Sequence, residues 1–210
     1  MCAIKCIQLS SGAARLHPTR FLKHSAGKGL LIKPFNIVAS TFRFRESHAE
    51  EELGEILSIL GDPLAEIRPT AVSGLLIGRT QIDPMSIPRM LGDLLKREPW
   101  RFRYLLRILP IEKVVEADLN MMQESIRDLS LRIRAHETFR VTIEKRHNSI
   151  SSDDIIRGMA SEISRAVDLS DPDWIVLVEV IQNVAGLSII RPYHIFSTVV
   201  EMRKLGDKFI

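Results

Sequence analysis

An α+β fold built from two consecutive units is what the 210-residue sequence predicts, and three patterns predict it. Apolar stripes of helical period alternate with short strand-like runs along the body of the chain. In the first half those segments follow the order β-α-β-β-α-β. In the second half, a strand of strict period two and a continuous apolar strand each neighbour a helix with its own start signal.

The first ordered element is the apolar run Asn36–Phe42, a strand. A helix over Glu46–Leu60 follows, with Ala49, Leu53, Ile56, Leu57 and Leu60 on one face and Gly61 as its stop. Ile67–Thr70 and Leu75–Ile77 read as short strands with Gly74 near the turn between them. Asp83, Pro84 and Ser86 open a second helix that buries Met90, Leu91, Leu94 and Leu95 and ends near Pro99. A strand over Phe102–Leu109 completes a ferredoxin-like plan.

Asp118 can cap a helix with the stripe Leu119, Met122, Ile126, Leu129 and Ile133. Thr138–Lys145 alternates as a half-buried strand, with Phe139, Val141 and Ile143 on one side. Ser151 or Ser152 caps the next helix, whose positive end suits Asp153 and Asp154. Trp174–Val180 reads as a central strand buried on both faces, and Leu187–Ile190 as a further strand after a turn at Asn183–Gly186. A last helix covers Ile195–Lys204. The expected division is an arm over 1–35, a ferredoxin-like domain over 36–112, an α/β domain over 113–192 and a C-terminal helix over 193–210.

Composition narrows the function classes. Hydrophobic residues make up 45% and charged residues 26%, an ordinary globular balance. No apolar run reaches the roughly eighteen residues that would cross a bilayer. Both cysteines lie within the first six residues, so no disulfide framework is expected. With no signal peptide read at the start, a reducing cytoplasm is the expected compartment. The net charge of +3 is uneven: residues 1–35 hold six basic residues and no acid, leaving 23 basic against 26 acidic residues in the body. The arm reads as flexible. It shares an acid-free composition with organellar transit peptides but has no amphipathic stripe.

Motifs for catalysis are missing. Gly27-Lys28-Gly29 lacks the earlier glycine and following hydroxyl of a phosphate loop, and no Gly-x-Gly-x-x-Gly follows a strand. Gln182–Leu187 does not fit the acetyl-CoA loop of small acetyltransferases. Cys2, Cys6, His17 and His24 have zinc-finger order, but six residues separate the histidines and no hairpin supports them. Catalytic residues, metal and cofactor are therefore all expected to be none.

Two basic clusters remain. Lys96–Tyr104 interleaves four basic residues, Arg101 and Arg103 among them, with three aromatics. Such a pattern suits phosphate forks and base stacking, and equally a core face of Phe102, Tyr104 and Leu106 with solvated arginines. Glu144–Ser152 contains Lys145, Arg146 and His147 where a strand ends and a helix begins at Ser151–Ser152. There the free N–H groups of a helix start can hold phosphate, or the stretch is simply a polar loop before a capped helix. Arg140 and Arg157 could share that edge.

The second half resembles the THUMP domain, an RNA-binding module of tRNA-modifying proteins. The resemblance runs through Thr138–Arg146, Ser151–Ile156, Val167–Trp174 and Val178–Val180, in family order. It implies an α+β chain with a ferredoxin-like unit ahead of an α/β THUMP domain. No catalytic domain of the kind some members append is expected after the module. The chain is similar to standalone members that act as tRNA-binding adaptors for cytidine N4-acetylation. That similarity implies a non-catalytic protein presenting tRNA, held at its acceptor stem and 3′ end, to a separate modifying enzyme such as an RNA acetyltransferase. Arg191–His194 replaces the glycine-rich stretch of the thiouridine synthetases, which argues against thiolation. The expected RNA contacts are Arg101, Arg103, Arg140, Lys145, Arg146, His147, Ser151, Ser152 and Arg157, reading A-form shape and a single-stranded end without an exposed aromatic motif. A small enzyme acting directly on RNA, or a protein scaffold that binds none, are the alternatives.

Overall fold

The computed structural model describes residues 34–206; the predicted arm lies outside them except for its last two residues. Phe35, assigned to the arm by its neighbours in sequence, is buried. The ordered body therefore begins earlier than the predicted position 36.

Strand β1 (Ile37–Thr41), helix α1 (Glu46–Ile59), strands β2 (Glu66–Pro69) and β3 (Leu75–Arg79), helix α2 (Ile87–Arg97) and strand β4 (Leu105–Pro110) follow in chain order. Their sheet has the order β4-β1-β3-β2 with every pair antiparallel, as the ferredoxin-like plan requires. Two predicted details need correction. Met90 is only half-buried, and Ile87 takes its place in the core. The predicted strand start at Phe102 only closes a 3-10 turn over Pro99–Arg101, and pairing begins at Leu105. The cause is Glu52, whose carboxylate accepts the N–H groups of Arg103, Tyr104 and Leu105 and so holds that segment away from the ladder.

The second unit comprises β5 (Lys113–Glu116), α3 (Leu119–Ser130), β6 (Thr138–Arg146), α4 (Ser152–Ser161), β7 (Ala166–Val167), β8 (Trp174–Ile181) and β9 (Val184–Ile190). Its sheet order is β5-β9-β8-β6-β7, with β8 parallel to β6 and antiparallel to β9. The turn predicted at Asn183–Gly186 is the two-residue hairpin Gln182–Asn183, with Gln182 at φ 56°. Gly186 instead lies within β9, where a Cβ would come within 3.3 Å of Ile111 and Phe35. The chain then returns: β10 (Phe196–Ser197) pairs with β4, and α5 (Thr198–Gly206) begins three residues later than the predicted helix. Phe196 is buried in the first unit's core, and Thr198 Oγ1 donates to the Leu105 carbonyl at 2.6 Å.

Three apolar layers explain why these runs fold together. Helices α1 and α2 cover one face of the first sheet through Leu53, Ile56, Leu57, Leu91, Leu94 and Leu95. Helices α3 and α4 cover the outer face of the second through Met122, Ile126, Ile155 and Met159. The remaining faces pack on each other, Val38, Leu75, Ile77 and Leu109 against Ile175, Leu177, Val184 and Ile190. Strand β8 is thus buried on both sides, which is why its sequence does not alternate. Glu112 locks the crossing between units: its N–H donates to Ser188 Oγ at 3.0 Å, and its carboxylate accepts from Ile189 N–H at 2.9 Å and from Arg132 at 2.7 Å.

Candidate nucleic-acid interface

Strand β6 puts its residues alternately on the helix-covered face and on the face toward the first sheet. Lys145 falls with Phe139, Val141 and Ile143, and its Nζ donates to the Ile150 carbonyl at 2.7 Å, closing the loop into α4. Arg146 falls on the opposite face. It donates to Glu179 Oε2 at 2.7 Å and lies 3.6 Å from Glu144. Glu179 is 0% exposed on β8, in line with Leu177 and Ile181, and its Oε1 has no hydrogen-bond partner among the described residues. Burial pushes its carboxyl up to about 7, against the pull of Arg146. Arg146 is therefore an internal counter-ion as well as a strand-end cation.

The loop after β6 is fixed from both sides. His147 has φ 55°, Asn148 Nδ2 donates to the Gln182 carbonyl at 2.7 Å, and Ile150 N–H donates to Asn148 Oδ1 at 2.9 Å. The loop borders an open cleft of about 510 Å³ shared with Glu116–Asp118 and the Gln182–Asn183 hairpin. His147 and Ser149 are exposed on it. Ser151 occupies the N-cap position of α4 with extended backbone, but its side chain makes no capping hydrogen bond, contrary to the predicted cap. Ser152 is the first helical residue, and Asp153 and Asp154 already place negative charge on the first turn.

The other predicted residues are spread out. Arg157 lies outward on α4, 3.3 Å from Asp154. Arg140 donates to the Leu169 carbonyl at 3.1 Å from the middle face of β6, while its Nε is buried without a partner among the described residues. Arg101 is paired with Glu98. Arg103 Nε donates to the Trp100 carbonyl at 3.2 Å. Both line a pocket of about 340 Å³ that also contains Glu51, Glu52 and Glu55. That company makes the Lys96–Tyr104 cluster a mixed-charge pocket, not a phosphate cradle. The structure thus brings Lys145, Arg146, His147, Ser151 and Ser152 together and leaves Arg101 and Arg103 on the other unit.

The expectation of no exposed aromatic motif is corrected. Phe42, Phe44 and Trp100 are all well exposed, and Phe42 and Phe44 alternate with exposed Arg43 and Arg45. The signal was available as Phe42-Arg43-Phe44-Arg45, the same basic-aromatic interleaving noted at Lys96–Tyr104, but it reads more simply as a strand end. One small crevice lined by Ser40, Leu75, Arg107, Arg146 and Glu179 places the end of β1 beside the end of β6. The Phe42–Arg45 turn and the His147–Ser151 loop therefore lie toward the same end of the molecule.

Two α/β units joined through one apolar layer, with loops gathered at a shared end, define a compact α+β protein of a kind with known relatives. The family model for the THUMP domain matches residues 116–190, which hold β6 to β9 and both covering helices. Over that stretch, 75 of its 210 residues, the chain is similar to the THUMP domain. It is 28% identical over 119 residues to THUMP domain-containing protein 1 from Homo sapiens and 27% identical over the same length to that from Mus musculus. The matched stretch is 52% of this chain and 34% of each relative, so the chain spans about a third of the length of the curated relatives it matches. Among solved structures, PH1313 from Pyrococcus horikoshii Ot3 has a TM-score of 0.55 at 19% identity, covering 75% of this chain and 55% of that one. At that identity the likeness shows a shared fold spanning both units.

Proposed function

We propose that this protein binds tRNA without chemistry of its own and presents it to a separate modifying enzyme. The observation that carries the reading is the match to the THUMP domain over residues 116–190, and the resemblance to that family suggests Lys145, Arg146 and the Ser151–Ser152 helix start, on either side of the loop after β6, as the RNA contacts. The geometry supports it in three ways. His147 and Ser149 line an open cleft at the sheet end, and Lys145 holds the loop beside it through the Ile150 carbonyl. The Arg146 side chain is a quarter exposed, so part of its guanidinium faces outward while Glu179 holds the rest. Arg157 is exposed and joined to Asp154 only by a surface pair, which a phosphate can replace at little cost. Phosphate contact through such groups positions RNA with little base reading, and the acceptor stem with its 3′ end is the target that fits. The N4-acetylcytidine adaptor role rests on the resemblance to standalone members.

The test is binding of unfractionated tRNA at two salt concentrations, followed by tRNA acetylation with a purified RNA acetyltransferase and acetyl-CoA. Salt-sensitive tRNA binding and acetylation that needs both proteins support the reading. Acetyl-CoA turnover by this chain alone contradicts the adaptor role, and absence of tRNA binding contradicts the reading altogether.

A further inference from the structure

At the tip of the first unit, Arg45 N–H donates to the Phe42 carbonyl at 3.1 Å, closing a four-residue turn with Arg43 and Phe44 at its centre. Phe44 holds φ 64°, the left-handed region that the third position of such a turn normally fills with glycine. A large aromatic there is strained, and packing does not repay it: the ring is 86% exposed and Phe42 is 52% exposed. The conformation is imposed by Glu46, whose Oε1 accepts from Phe44 N–H at 3.2 Å, Ser73 Oγ at 3.0 Å and Gly74 N–H at 2.5 Å. Those bonds also occupy the acid closest in sequence. Arg43 and Arg45 are exposed and make no side-chain hydrogen bond or ion pair with the described residues. The turn is thus a fixed, outward aromatic ring between two uncommitted guanidinium groups.

We propose that the Phe42–Arg45 turn is a contact for single-stranded RNA, with an unpaired base stacked on Phe44 and Arg43 and Arg45 on the flanking phosphates. Every base offers a face to an aromatic ring, so stacking requires no particular sequence, and arginines on either side supply the matching charge. A single nucleic-acid strand meets both features at once, a flat base for the ring and a phosphate for each arginine. This inference rests on the RNA-binding reading and adds a second contact, on the first unit, to the loop after β6.

The experiment compares two fluorescent RNA hairpins of one sequence, each closed by a synthetic linker in place of loop nucleotides, one blunt and one with a short single-stranded 3′ overhang, binding to the full chain. Phe44→Gly removes the ring and relieves the turn, so its melting temperature stays level or rises. The expected result is a loss of affinity on the order of tenfold for the overhang hairpin only, with Phe44→Tyr within about twofold of the wild type. Equal affinity of Phe44→Gly and wild type for the overhang hairpin overturns the inference and leaves the RNA-binding reading standing. An equal loss on both hairpins also overturns it, because the blunt RNA offers no unpaired base. If the wild type binds neither hairpin nor tRNA, the reading fails and the inference fails with it.

Discussion

Glu179 carries a carboxylate into the apolar layer between the two sheets, in line with Leu177 and Ile181, and Arg146 makes that placement tolerable. Above pH 7, where Glu179 is ionised, removing Arg146 leaves an uncompensated buried charge and costs about 3 kcal/mol. Arg146→Ala should therefore lower the melting temperature by roughly 6–12 °C in a chain of this size, so that its effect on RNA binding must be read on folded protein. Lys145→Ala removes one bond to a loop carbonyl and should cost only about 1 kcal/mol. In the same variant the salt slope of RNA binding should fall by about one. Thermal melts and salt titrations of the two single variants check both statements. Equal melting temperatures would contradict the buried-pair account.

The same carboxyl gives a pH signature. Glu179 holds its proton up to about 7 in the fold, against 4.5 for an ordinary glutamate. Its contribution is fully present below about pH 4.5, where both states are protonated, and is lost as pH rises through 7. The melting temperature of the wild type should thus fall relative to that of Glu179→Gln between pH 5 and pH 8. Parallel profiles for the two proteins would contradict the assignment.

At the scale of elements, the Phe42–Arg45 turn depends on the one across from it. Gly74 has φ 78°, and a Cβ there would lie 2.9 Å from the Thr41 carbonyl oxygen, which is backbone and cannot step aside. Gly74→Ala should cost about 1–3 kcal/mol by the combined strain and contact, measurable by denaturant unfolding; a loss below a few tenths of a kcal/mol would mean that the turn adjusts freely. Elements with their own periodic signal are legible in the sequence. The stripe of α1, the Asp118 cap of α3, confirmed by bonds to Asn120 and Met121 N–H, and the unbroken apolar run of β8 are all where the sequence places them. Elements defined only by a distant partner are not. Strand β10 is two residues long and exists because β4 offers an open edge, and β5 follows directly on Ile111 with only four residues to show a period. The 3-10 turn before β4 is hidden because Glu52, half a unit away in sequence, decides where pairing starts. For the same reason the candidate site is legible as a cluster but not as a geometry. Charge at Lys145 and Arg146 can be read from sequence, whereas the face each side chain takes depends on which strand lies beside β6.

For the molecule as a whole, the apolar layer between the sheets makes the two units interdependent. Ile175, Leu177, Val184 and Ile190 would be uncovered in a second unit standing alone, and Phe196 returns the chain to the first. The protein has two tryptophans, Trp100 in the first unit and Trp174 in the second. Unfolding followed in Trp100→Phe and Trp174→Phe variants should therefore give midpoints that coincide once each variant's own stability change is corrected for, and Leu177→Ala should destabilise both by about 2–5 kcal/mol. Separate transitions would show the layer to be a loose contact. Interdependence bears on function, since it holds the β6 loop and the Phe42–Arg45 turn at one end in a fixed relation, as a surface for a structured RNA requires.

The measurement that tests this account most directly is fluorescence-anisotropy binding of tRNA, intact and with its 3′ single strand removed, at two salt concentrations, with duplex DNA of similar length as the control. A preference for intact tRNA that weakens on trimming and at high salt is the predicted result. Equal binding to tRNA, trimmed tRNA and DNA, or binding to none of them, would contradict the assignment of this end of the molecule to RNA.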